Sequence, residues 1–339
     1  MTREAQIERF LGRTDWSKAS RTPLSQDASF RRYWRLKQSS KRALLMDAPP
    51  PEKPVSLFAN IAVFLRNQGL WAPEIYAQDD ADGLMLIEDF GEETFTRILK
   101  TDPKSEIALY ELAIDTLCDL HRVKADRKLN LGNYDIDTLL SEANLFCEWF
   151  FPAITGFQAS LDARKSFNLA WKQSIEVLSP HRSVLVLRDY HVDNLMRLHG
   201  DDGQILCGVL DFQDALYGSP AYDLMSLLED ARRDISPELH QHCLARYFHT
   251  MAGADSDFPG PDALQPWLNV LAAQRHAKVL GIFVRLYQRD QKPHYLKHLP
   301  RVLRLYRAAI EREPDLAPVA RWMQVNLPFS SIDLGAVRA

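Results

Sequence analysis

The chain holds only four cysteines, Cys118, Cys147, Cys207 and Cys243, and no two of them form a CxxC pair. Their wide spacing speaks against a disulfide framework or a zinc site and fits reduced, buried thiols. An excess of positive charge is missing too. Lys and Arg number 41 against 45 Asp and Glu, a net charge of −4. With no basic field to neutralise a phosphate backbone, nucleic acid is not an expected partner. No apolar run approaches the roughly 18 residues that span a bilayer. The first ten residues, Met1 to Phe10, carry charges where a signal peptide needs an apolar stretch. Repeats and low-complexity tracts are absent. A soluble, cytoplasmic protein with no membrane partner is expected.

What is present suits a globular enzyme: 339 residues, 46% hydrophobic, 25% charged and 10% aromatic, enough for one large domain or two lobes. Phe30–Leu36 and Ala43–Met46 read as strands joined by the polar turn Gln38–Lys41, and Leu84–Ile87 as a further strand. The prolines around 49–54 make a loop, and an amphipathic helix covers Ser56–Asn67 before Gly69. Beyond Glu88–Gly91 the pattern turns helical. Asp102–Pro103 suits the start of a helix that runs to His121. Further helices are predicted over 138–150, 161–178, 221–232, 237–251, 267–289 and 299–313. The predicted fold class is α+β, with a small β-rich lobe over 1–90 and a larger helical lobe over 91–339.

One β-rich island, Ser183–Phe212, interrupts the helical part. The turn Gly200–Gly203 should join two short apolar strands into a hairpin. Such a hairpin brings Asn194, at the start of its first strand, close to Asp211, at the end of its second, with Asp189 on the loop just before. Phosphoryl transfer needs such a set of oxygens. It gains little from covalent chemistry and depends on positioning, on charge neutralisation by Mg²⁺ and on a carboxylate aimed at the attacking hydroxyl. Mg²⁺ takes hard oxygen ligands and keeps some waters, which suits one Asn with one Asp. Taken alone, Asp-x-x-x-x-Asn is more often a turn than a metal site; the flanking strands and Asp211 reverse that judgement.

Leu187-Arg188-Asp189, then Asn194, then Asp211-Phe212 is similar to the catalytic loop and metal-binding aspartate of the protein kinase-like superfamily. His191, the Leu120-His121 pair, and the run from Tyr217 through Gly218 to Asp223-Leu224 resemble the aminoglycoside phosphotransferase family within it. The resemblance spans roughly Leu24 to Asp230. Asp27–Tyr33, Leu45–Pro50, Leu228–Arg232 and Gly281–Leu286 look like the bacterial anomeric kinases of cell-wall amino sugars, which act on N-acetylmuramate and N-acetylglucosamine. The resemblance implies a two-lobe kinase-like fold, ATP and Mg²⁺ as cofactors, Asp189 as base, Asn194 and Asp211 as metal ligands, and a sugar 1-phosphate feeding peptidoglycan recycling.

The chain departs from the family pattern in four places. Leu187-Arg188 stands where the family has His-Gly, Ser25–Ser29 holds no glycine, and the strand expected to carry an ATP-binding lysine offers Met46 and Asp47. The helix at 56–67 also lacks the glutamate that pairs with that lysine. The candidate nucleotide contacts are therefore Ser29, whose hydroxyl replaces a glycine loop, Arg32 (or Arg35) as substitute cation, and the linker residues Glu88 and Phe90.

Candidate substrate contacts are His191, Asp193, Trp149 and Arg285, each with a plainer alternative. His191 can be structural, and Asp193 can cap a turn. Trp149 lies in the ring-rich run Phe146–Phe151, which suits either a core or a sugar face. Arg275, Lys278, Arg285 and Arg289 share one arc of a helix. They either aim into a cleft or meet acids on a neighbouring helix. Asp223 reads as a structural carboxylate for the catalytic loop. The function classes left open are a sugar kinase, a kinase for another alcohol such as choline, homoserine or an aminoglycoside-like compound, and a nucleotide- or sugar-binding pseudokinase.

Overall fold

In the computed structural model, which describes residues 1–24, 31–50, 54–123, 129–178, 183–254 and 258–338, the polar turn after Gln38 joins two strands as predicted. Gln38 pairs with Lys41 across two residues, and Ser39 takes φ +56°, the left-handed conformation that tight hairpin turns demand. The described chain is α+β and divides into two compact units, Met1–Asn130 with Val192–Ala215, and Leu131–His191 with Leu216–Ala339. The first unit thus extends beyond residue 90, through two further helices, and takes in the hairpin predicted downstream. Backbone contacts explain this, since Thr94 bridges Met196 and the Thr96 N–H donates to the Val192 carbonyl at 3.1 Å.

The first unit runs α1 (Arg3–Leu11), β1 (Ser20–Pro23), β2 (Arg32–Gln38), β3 (Lys41–Asp47), α2 (Val55–Asn67), β4 (Ile75–Asp79), β5 (Leu84–Glu88), α3 (Phe95–Thr101) and α4 (Glu106–Arg122). After β6 of the second unit (Val184–Val186) come its last strands, β7 (Leu195–His199) and β8 (Ile205–Val209). The sheet is antiparallel throughout, in the order β1-β2-β3-β5-β4. Strand alternation sends Leu36, Ala43, Leu45, Leu84 and Leu86 to one face. There they close a core with Ile7, Phe10 and Leu11 of α1. The sequence reading missed α1, β1, β4 and α3. Asp102 makes no side-chain cap: it precedes a short 3₁₀ turn, Pro103–Ser105, and α4 starts only at Glu106.

The second unit contains α5 (Ile136–Ala143), α6 (Phe151–Thr155), α7 (Leu161–Glu176), β6, β9 (Leu216–Gly218), α8 (Ala221–Leu228), α9 (Pro237–Ala254), α10 (Pro261–Gln288), α11 (Leu299–Arg312) and α12 (Ala317–Asn326). The helix predicted over 138–150 is two pieces, α5 and a π-helical turn over Phe146–Phe150. Helix α8 stops at Leu228 because Glu229 leaves helical geometry (φ −115°, ψ 49°). Buried α10 is the longest helix described, and Gly281 lets it pass close to the chain at Leu145. No helix among the described residues is long and apolar enough to cross a membrane.

Candidate active site

The β7–β8 hairpin of the first unit pairs Leu195 with Val209 and His199 with Ile205. One step beyond, the Leu210 N–H donates to the Asn194 carbonyl at 2.9 Å. Asn194 and Asp211 therefore sit at the same end of one hairpin. Asp211 is exposed, takes φ +59° and accepts from Gln213 Nε2 at 2.7 Å. A non-glycine residue in the left-handed region is strained, and such strain gathers at functional sites. Asn194 offers an amide oxygen and Asp211 an exposed carboxylate at one hairpin end, hard-oxygen donors of the kind Mg²⁺ takes. Among the described residues no three His, Cys, Asp or Glu gather as a metal site.

The loop after β6 belongs to the second unit. Arg188 takes φ +73°, which accounts for the glycine that the resembled family has at this position. Four neighbours hold it. Its N–H donates to Asp223 Oδ1 at 2.8 Å, beside the Leu187 N–H to Oδ2 at 2.6 Å. Arg275 Nη1 donates to its carbonyl at 3.2 Å. Its guanidinium pairs with Glu142 and lies over the Tyr134 ring, 5.4 Å from the centroid.

Asp189 follows, with its side chain 44% accessible and Arg275 Nη2 3.9 Å from Oδ1. Packing around Asp189 strips water and works against ionisation. The charges of Lys278, Arg275, His191 and Arg188 outweigh it and hold the carboxyl below its ordinary range. A base so held is ionised at neutral pH and is best suited to orienting a hydroxyl and taking its proton late. Asp223 is fully buried, and burial pushes its carboxyl up to about 7 against the two N–H donors and Arg275.

The remaining candidates are scattered. Ser29 lies outside the described residues. Arg32 Nη2 donates to Asp47 Oδ2 at 2.8 Å, and Arg3 pairs with the other oxygen. Arg35 is bound to Asp89 at 2.6 and 3.0 Å and to Glu92 at 2.8 Å. Both substitute cations thus already have acidic partners within the unit. Glu88 ends β5 and accepts from the Glu74 N–H at 3.1 Å. Phe90 lies against β8, where a Cβ on Gly208 would meet its ring at 2.8 Å.

His191 is buried, and burial holds its pKa below the usual histidine range despite Asp230 and Asp189. Asp193 accepts from the Thr96 hydroxyl. Trp149 is half-buried on a turn whose other rings are core: Phe146 packs with Phe150, Phe167 and Trp322. In the cationic stripe, Lys278 meets Glu142 at 2.8 Å and Arg289 meets Asp290 at 2.7 Å, whereas half-buried Arg285 lies near Glu148. Glu142, Tyr134 and Tyr222 escaped the sequence reading. Glu142 is 136 residues from Lys278, and nothing local in the chain marks that pairing.

The sequence profile of the phosphotransferase enzyme family matches residues 20–267. The N-acetylmuramate/N-acetylglucosamine kinase of Pseudomonas aeruginosa is 35% identical over 314 residues, 90% of this chain and 88% of its own. Its namesake in Caulobacter vibrioides is 32% identical over 363 aligned positions, 97% and 98% of the two chains. Among solved structures, APH(2'')-IIa in complex with gentamicin superposes with a TM-score of 0.61 at 17% identity, over 89% of this chain and 98% of that one. Choline kinase LicA from Streptococcus pneumoniae gives 0.63 at 12% identity, over 90% and 99%. The two structural likenesses concern the fold alone, which is protein kinase-like.

Proposed function

This chain belongs to the phosphotransferase enzyme family, and from that premise we propose that it moves the terminal phosphoryl group of ATP onto the anomeric hydroxyl of N-acetylmuramate or N-acetylglucosamine. The observation that carries this acceptor is the relationship to kinases of that name, 32 and 35% identical over nearly their full lengths. The product would be a sugar 1-phosphate, as expected for cell-wall sugar recycling.

Asp189 acts as the base. Its accessible carboxylate orients the acceptor hydroxyl and receives its proton as the oxygen bonds to the γ-phosphorus and the bond to the β–γ bridging oxygen breaks, releasing ADP. Asn194 and Asp211 would hold Mg²⁺, which when bound neutralises phosphate charge. Glu88 and Phe90 serve the nucleotide, with Arg32 the reserve cation if Asp47 releases it. His191, Asp193, Trp149 and Arg285 remain the substrate-side candidates, and Asp223 fixes the loop.

Asp189→Asn tests the assignment. ATP-dependent phosphorylation of N-acetylmuramate should fall by about 10³-fold or more, with the melting temperature unchanged. A variant that keeps a tenth of the activity, by a rough threshold, removes Asp189 from the role.

A further inference from the structure

Asp189 is accessible, yet the peptide before it is strained and enclosed. Arg188 sits at φ +73°, a conformation that costs a side-chain-bearing residue on the order of 1–3 kcal/mol and persists only when its surroundings over-determine it. Its N–H is taken by Asp223 and its guanidinium by Glu142. Its carbonyl is taken by Arg275.

Arg275 is 5% exposed and reaches three groups at once from α10. Nη1 donates to the Arg188 carbonyl at 3.2 Å and to the Tyr222 hydroxyl at 3.3 Å, and Nη2 stands 3.9 Å from Asp189 Oδ1. Its guanidinium lies over the Tyr222 ring, 5.5 Å from the centroid. The other buried cation of α10, Lys278, directs Nζ to Glu142 at 2.8 Å and shares the Tyr222 hydroxyl with Arg275 at 3.2 Å.

We propose that Arg275 is a positioning residue: it fixes the Arg188 peptide and steers the Asp189 carboxylate towards the acceptor hydroxyl. The inference rests on the reading of Asp189 as base. A planar fork reaches a carbonyl, a hydroxyl and a carboxylate together, whereas a lysine offers one point charge. Misplacing a reacting group by about 1 Å costs around 10²-fold in rate.

The test is steady-state kinetics with ATP, Mg²⁺ and N-acetylmuramate. In Arg275→Ala, kcat should fall about 10²-fold with KM for ATP little changed, and millimolar guanidinium chloride should restore much of the rate. Guanidinium should restore nothing to Asp189→Asn. Arg275→Lys keeps bulk and charge, so it reports even if the alanine variant fails to fold; its kcat should drop about tenfold without a change in KM for ATP. The proposal is overturned if Arg275→Lys keeps the wild-type kcat, or if a folded Arg275→Ala loses rate that guanidinium does not return. Full activity in Arg275→Ala beside an inactive Asp189→Asn removes the role of Arg275 alone. Full activity in Asp189→Asn removes the base itself.

Discussion

The Asp223 carboxylate accepts the backbone N–H of Arg188 at 2.8 Å, and so pins a left-handed residue one step before Asp189. The same carboxylate takes the Leu187 N–H at 2.6 Å. Two consecutive amides held by one buried acid make the loop's shape a property of α8 rather than of the loop itself. The pattern Gly218…Asp223-Leu224 in the sequence marks that clamp.

This clamp has a pH signature. The folded carboxyl is pushed up to about 7 by burial, while an unfolded aspartate titrates near 3.9. The folded state therefore holds this proton more tightly than the unfolded chain. The residue's contribution to stability is greatest below about pH 4 and shrinks as pH rises towards 7. Denaturant unfolding of the wild type and Asp223→Asn at pH 5 and pH 8 checks this. The wild type should lose about 1–3 kcal/mol relative to the variant across that interval. A constant difference would mean that Asp223 is already ionised at the lower pH.

Asp211 should govern the metal requirement. In Asp211→Asn the hairpin end keeps its shape but loses the anionic ligand, so the Mg²⁺ concentration for half-maximal rate should rise about tenfold or more. A magnesium titration at saturating ATP reads this directly. An unchanged midpoint would separate Asp211 from the ion.

Glu142 compensates buried Lys278 at 2.8 Å and half-buried Arg188. Removing its charge strands both, at a cost of about 3–5 kcal/mol. Glu142→Gln should therefore unfold at much lower denaturant, and Glu142→Leu combined with Lys278→Met should recover part of the loss. A variant as stable as the wild type would show that solvent already screens the pair.

At Gly281 a Cβ would stand 2.2 Å from the Leu145 carbonyl oxygen. Gly281→Ala must push α10 away from that chain, costing about 1–3 kcal/mol or more, and α10 carries Arg275. Both melting temperature and kcat should fall. A neutral substitution would mean that the close approach is not kept in solution.

Local patterns made part of this structure legible. Alternating apolar residues marked β2, β3 and β5, and the two short runs flanking the Gly200–Gly203 turn marked the hairpin that sets Asn194 beside Asp211. What escaped depends on distant partners or on weak local patterns. Helix α1 buries only Ile7, Phe10 and Leu11 of its nine residues, and β4 is a half-exposed edge strand. Strand β6 pairs with β9, thirty residues on, which periodicity cannot show. The cationic stripe of α10 was visible on the helical wheel, but its sorting was not. Lys278 turned to Glu142 and Arg275 to the Asp189 loop because of acids and carbonyls far away in the chain.

The central claim is phosphoryl transfer from ATP to an anomeric hydroxyl. Its most direct test is ³¹P and ¹³C NMR of the product formed from ATP, Mg²⁺ and N-acetylmuramate, with N-acetylglucosamine in parallel. A phosphorus signal coupled to C1 of the sugar, absent with Asp189→Asn, is the expected result. Phosphate on any other hydroxyl, or ATP left intact with both sugars, would contradict it.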